Sequence, residues 1–95
     1  MSEGKLVTDP QVRAELEALI FEHAYKLDFH LSDNLGDLYT EDGCLFGAGS
    51  DCIGREAVNN FGRSRVAMKE RRVRHVFSNF RFVEDGPDQV RGVSF

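Results

Sequence analysis

The chain has 95 residues, 41% of them hydrophobic, and a formal net charge of −4. That length accommodates one domain, the apolar content is too high for a disordered segment, and no run reaches the ~18 apolar residues of a membrane span. The opening Met1-Ser2-Glu3-Gly4-Lys5 has neither a basic n-region nor an apolar h-region, which points to a cytoplasmic protein that no membrane holds. Charge is unevenly distributed: three basic and eleven acidic side chains precede Arg55, and nine basic and five acidic follow from it. The excess is local, with Arg63, Arg65, Lys69, Arg71, Arg72 and Arg74 against the single acid Glu70. Cations of this kind suit a helix C-terminus facing an acidic first half. With no aromatic platform among them, they argue against a nucleic-acid partner.

Residues 1–8 are expected to be a flexible N-terminus. Asp9-Pro10 then announces a helix, with Asp9 at the N-cap and Pro10 in the first turn. Val12, Leu16, Leu19, Ile20, His23 and Leu27 recur at three- and four-residue spacing and form its buried stripe, while Phe21, Tyr25 and Asp28 share a neighbouring face. The helix is expected to end near Phe29 or His30. Ser32 is placed to cap a short second helix through Leu35, Leu38 and Tyr39.

Thr40-Glu41-Asp42-Gly43 is a turn signal. Cys44–Phe46 and Cys52–Ile53 read as a short hairpin around a Gly/Ser-rich loop. The two cysteines are eight apart and could face each other across it; the plainer reading is two small thiols in a reducing compartment. Neither lies in a metal-ligand spacing. A third helix opens at Gly54-Arg55-Glu56 and buries Ala57, Val58, Phe61 and Met68, with Gly62 weakening it. Arg72 to Val83 reads as one long strand. A turn at Glu84–Asp88 leads into a further strand, Gln89 to Phe95. Helices segregated from an antiparallel meander make the fold α+β.

In the long strand, alternation separates Val73, His75, Phe77 and Asn79 from Arg74, Val76, Ser78, Phe80 and Phe82. His75 falls between Val73 and Phe77, an apolar setting in which an imidazole beside a carboxylate can act as a general base. A satisfied core histidine is the other reading of the same pattern. Asp28 is open to two readings as well: a solvated helix-end acid, or a carboxylate that orients a histidine.

Four segments together resemble a known family. Ala24-Tyr25-Lys26-Leu27-Asp28 followed by Leu35-Gly36-Asp37-Leu38-Tyr39-Thr40-Glu41-Asp42-Gly43, then Gly54-Arg55-Glu56-Ala57-Val58, then Arg74-His75-Val76-Phe77-Ser78-Asn79, look like SnoaL-like domains of the nuclear-transport-factor-two-like superfamily. The resemblance covers most of residues 9–95. It implies a cone-shaped roll in which N-terminal helices pack on a curved antiparallel sheet around a deep pocket. It also implies that the closing C-terminal strands are missing from this chain, so that the domain is incomplete.

In the scytalone-dehydratase-like and dehydrochlorinase-like branch, an Asp late in the first helix orients a His on the first long strand. Asp28 and His75 occupy those positions, and Tyr25 lies one turn before Asp28. Ser94 stands where scytalone-dehydratase-like members carry a second histidine, and serine cannot do that acid–base work. The resemblance thus implies a cofactor-independent lyase or isomerase, with no metal, acting on a small hydrophobic molecule such as a polyketide. Its catalytic residues are His75, Asp28 and Tyr25, and its substrate-binding residues are Phe21, Phe61, Phe77 and Asn79. The alternative is a non-catalytic ligand-binding or dimerisation module, such as an accessory subunit of a ring-hydroxylating oxygenase. Open strand edges add an expectation of a homodimer.

Overall fold

The structure is a computed structural model and describes residues 4–47 and 49–95, so the start of the N-terminal segment and Ala48 of the hairpin loop lie outside it. It is α+β: helix α1 (Pro10–Asp28), the 3₁₀ turn Leu35–Leu38, strands β1 (Cys44–Leu45) and β2 (Cys52–Ile53), helix α2 (Arg55–Ala67), and strands β3 (Arg81–Glu84) and β4 (Val90–Val93). The strands form two separate two-stranded antiparallel sheets, β1-β2 and β3-β4. The chain divides into two compact units, one containing the residues up to Ala18 with His75–Phe95, the other Leu19–Arg74. No helix among the described residues is long and apolar enough to cross a membrane.

The start of α1 follows its sequence signal. The Asp9 carboxylate accepts the backbone N–H groups of Gln11 at 2.8 Å and Val12 at 3.3 Å, which otherwise have no intrahelical partner. Just beyond its last residue, Asp28, the chain turns away at His30, whose φ of 60° is left-handed. The N–H of Leu31 reaches back to the carbonyl of Lys26 at 2.8 Å, the six-to-one bond of a left-handed helix stop.

In the unit Leu19–Arg74 the core is Leu35, Cys52 and Val58, with Leu27, Leu38, Tyr39, Leu45, Ala57 and Phe61 packed around it. The segment 32–36 lies directly on α2. Ser32 is fully buried and its hydroxyl donates to the Gly62 carbonyl at 2.8 Å, so it ties two segments together instead of capping a helix. The Gly36 N–H donates to Asn59 Oδ1 at 2.7 Å. A Cβ at Gly62 would collide with the carbonyl of Ser32, and one at Gly36 would lie 2.6 Å from the carbonyl oxygen of Arg55. Gly62 is therefore a packing requirement as well as a weak helix former.

The β1-β2 register pairs Cys44 with Ile53 and Leu45 with Cys52. Directly opposed residues share a face and neighbours along a strand alternate, so Cys44 and Cys52 point to opposite faces of the hairpin. Cys44 is exposed and Cys52 is buried.

In the other unit β3 is central. On one side it pairs with β4, Arg81 opposite Val93 through Glu84 opposite Val90. On the other, the segment expected to be flexible runs alongside it at Lys5–Val7. The Val7 N–H donates to the Phe82 carbonyl at 2.9 Å and the Glu84 N–H to the Lys5 carbonyl at 2.8 Å. Phe82 and Val83 are buried, as is Val7. Opposite Phe82, Gly92 leaves room for the ring, which lies 2.9 Å from where a Cβ would be.

The long strand expected from Arg72 to Val83 is the main correction. Only Arg81–Glu84 is strand, and residues 71–80 carry no regular structure. A backbone feature interrupts the expected strand. Asn79 adopts a left-handed φ of 57° and breaks the extended run. On the β4 side, Ser78 and Phe95 exchange both backbone hydrogen bonds, at 2.6 and 2.9 Å.

Two outcomes follow for measurement. Gly62→Ala, despite its better helix propensity, is expected to lower stability by about 2–3 kcal/mol through overpacking against Ser32, read from the urea midpoint. Thiol titration is expected to show Cys44 reacting rapidly and Cys52 only on unfolding, with no intramolecular disulfide under mild oxidation.

Candidate functional site

The residues singled out by sequence are divided between the two units. Asp28, Tyr25, Phe21 and Phe61 belong to Leu19–Arg74; His75, Phe77 and Asn79 belong to the other unit.

Asp28 is the last residue of α1 and is 8% exposed. Two costs meet there. The C-terminal end of a helix carries partial negative charge, which disfavours a carboxylate. Removing a carboxylate from water is costly in its own right. Its backbone carbonyl accepts Arg74 Nη1 at 3.2 Å, and the same guanidinium lies 4.3 Å above the ring of Phe29. Arg74 thus adds a cation at the helix end, whose last turn also carries Lys26.

Tyr25 is half exposed and rests its ring on Phe29, with centroids 4.7 Å apart. Phe21 is also half exposed. Phe61 packs against the core, and the Arg65 guanidinium lies 4.8 Å from its ring centre. It lines an open groove of about 450 Å³ along α2 with Cys52, Ala57, Asn60, Ser64 and Met68. Of the four residues expected to contact substrate, Phe61 is on this groove.

His75 is exposed and lies nearly parallel to Phe77, at 6.2 Å between centroids and 12° between planes. Phe77 continues to Phe80 at 5.8 Å, and Phe80 to Phe82 at 5.7 Å and 12°. The Arg13 guanidinium lies 5.2 Å from the Phe82 ring centre, a cation–π distance. A row of four rings therefore runs from the buried Phe82 out to His75. Simple alternation put His75 and Phe77 on one face and Phe80 and Phe82 on the other; the structure has all four in one row.

Two further histidine environments escaped the pattern. His23 Nε2 and the Tyr39 hydroxyl share a 2.7 Å hydrogen bond. The Tyr39 carbonyl is held in turn by the Arg55 guanidinium, which donates from Nε at 3.0 Å and Nη2 at 2.7 Å. Burial pushes the Tyr39 phenol above its ordinary value of 10.0, and negative charge on the Cys52 thiol adds to the rise. At the left-handed stop of α1, His30 Nε2 donates to the Arg71 carbonyl at 3.1 Å, while its Nδ1 is buried with no hydrogen-bond partner. The helical spacing of His23 signalled burial; nothing in the sequence named Tyr39 as its partner.

Among the described residues no group of three or more His, Cys, Asp and Glu side chains is placed to hold a metal ion. The chain matches no family model, no curated protein and no solved structure.

The Tyr39 environment has a pH consequence. A raised folded-state pKa means that the fold favours the neutral phenol, a stabilisation present below the unfolded value and lost as pH rises through the folded value. Wild-type stability is expected to fall above pH 10, and Tyr39→Phe to remove that part of the decline. Urea midpoints at pH 8 and pH 11 for both proteins measure it.

Proposed function

We propose that this chain is a SnoaL-like domain of the cone-shaped roll type. In this reading it acts as a dehydratase-like lyase or isomerase on a small hydrophobic molecule. Asp28 carries the reading. It is a carboxylate at the last position of α1 and is buried there, and a carboxylate held in that way can orient an imidazole and stabilise its charged form.

The chemistry follows from the residue types. The neutral imidazole of His75 takes a proton from the carbon next to a carbonyl. The electron pair left behind forms the carbon–carbon double bond as the bond to a β-hydroxyl breaks. The departing hydroxide takes that proton back from the imidazolium and leaves as water, which regenerates the neutral base. The Asp28 carboxylate orients the imidazole and stabilises the imidazolium, Tyr25 donates a hydrogen bond to the carbonyl oxygen, and Phe21, Phe61, Phe77 and Asn79 contact the substrate. No cofactor takes part, and the domain works as a homodimer in the cytoplasm.

One observation favours a second reading, a module that binds ligands without chemistry, as an oxygenase accessory subunit would. His75 is exposed and lies parallel to Phe77, so its ring also serves as aromatic surface.

The two are separated with a panel of aromatic β-hydroxy ketones, following the conjugated enone by its absorbance. His75→Ala and Asp28→Asn are each expected to lower kcat by about 10²–10⁴-fold while leaving the far-UV spectrum unchanged. Turnover that survives either substitution undiminished excludes the dyad, and saturable binding without turnover by the wild type establishes the second reading.

A further inference from the structure

We propose that Asn79 is a positioning residue: its left-handed backbone forms a bulge that places His75 and Phe77 in the same row as Phe80 and Phe82. The register carries this. From Arg81 to Glu84 each residue faces a fixed partner in β4, Arg81 opposite Val93. Continued without interruption, that ladder sets Asn79 opposite Phe95. Instead Ser78 exchanges both backbone hydrogen bonds with Phe95. One extra residue has been accommodated between Ser78 and Arg81, so Asn79 and Phe80 together occupy the space opposite Ser94.

The effect on the side chains is a change of phase. Residues 77 and 80 are three apart, and in an unbroken strand they point to opposite faces. With Asn79 at a φ of 57° the alternation skips one residue, and Phe77 lies 5.8 Å from Phe80 in the observed row. His75, two residues before Phe77, follows it. The left-handed region is one that Asn and Gly enter readily and a β-branched residue does not. The residue type at position 79 thus decides which face of the strand carries the imidazole. This rests on the proposed role of His75 only for its consequence in catalysis; the placement itself holds whether His75 is a base or a binding surface.

Three variants test it, read by proton nuclear Overhauser effects between the Phe77 and Phe80 rings with selectively labelled phenylalanine. Asn79→Gly keeps the left-handed conformation and is expected to retain the contact. Asn79→Val cannot form the bulge and is expected to lose it, turning Phe77 and His75 to the opposite face. Deletion of Asn79 removes the extra residue itself, so a regular strand keeps Ser78 opposite Phe95 and is expected to restore the contact. Cross-strand amide contacts between β3 and β4 report that each variant retains its hairpin. The proposal is overturned if the valine variant keeps the Phe77–Phe80 contact, or if the deletion loses it while the β3-β4 contacts remain. Should Asn79→Val misfold, the glycine and deletion variants still decide. Because the readout is structural, its failure is distinct from a failure of His75→Ala to reduce turnover.

Discussion

The unit Leu19–Arg74 depends on one close approach, that of the segment 32–36 to helix α2. It is possible because the helix carries no Cβ at Gly62 and the segment none at Gly36. The contact brings the Ser32 hydroxyl to the Gly62 carbonyl and the Gly36 N–H to Asn59, so the polar groups it buries are satisfied. Leu35 and Val58 are fully enclosed as a result. The chain leaving this contact presents the Tyr39 carbonyl to the fork of Arg55 and the Tyr39 hydroxyl to His23. A residue that costs helix propensity thereby permits the packing on which the unit is built.

A second constraint of the same kind acts on the hairpin of β3 and β4. Gly92 clears the space for Phe82, and the bulge at Asn79 sets the phase of everything before it. Both are backbone features expressed through side-chain position. The row of rings from Phe82 to His75 follows from them, and the left-handed Asn79 also interrupts the long strand that β-branched and aromatic composition favours.

The helical and capping signals were legible because they are local. Asp9 and Pro10 specify the start of α1 through bonds two and three residues away, and the alternation of Cys44–Leu45 and Cys52–Ile53 marks the small hairpin. The candidate site was legible only as residue types. Asp28 stood out as an acid on an amphipathic helix, but its burial comes from tertiary packing. His75 stood out among apolar neighbours, but alternation assigned it the wrong set of companions, since one left-handed residue reverses the parity of all those before it. Ser32 has the residue type of a helix cap, whereas its hydroxyl bonds to a carbonyl thirty residues away.

By itself the sequence determined the α+β composition, the start of α1, the short hairpin, the helix after Gly54 and the unequal distribution of charge. These follow from hydrophobic period, capping chemistry and turn residues, all of which act within a few positions. Only the tertiary structure decided that Cys44 and Cys52 face apart, that β3 is flanked by residues 5–7 as well as by β4, that Gly62 is required for packing, and that His75 ends a row of aromatic rings. Each depends on register or on close approach between segments distant in sequence, and no local propensity encodes either.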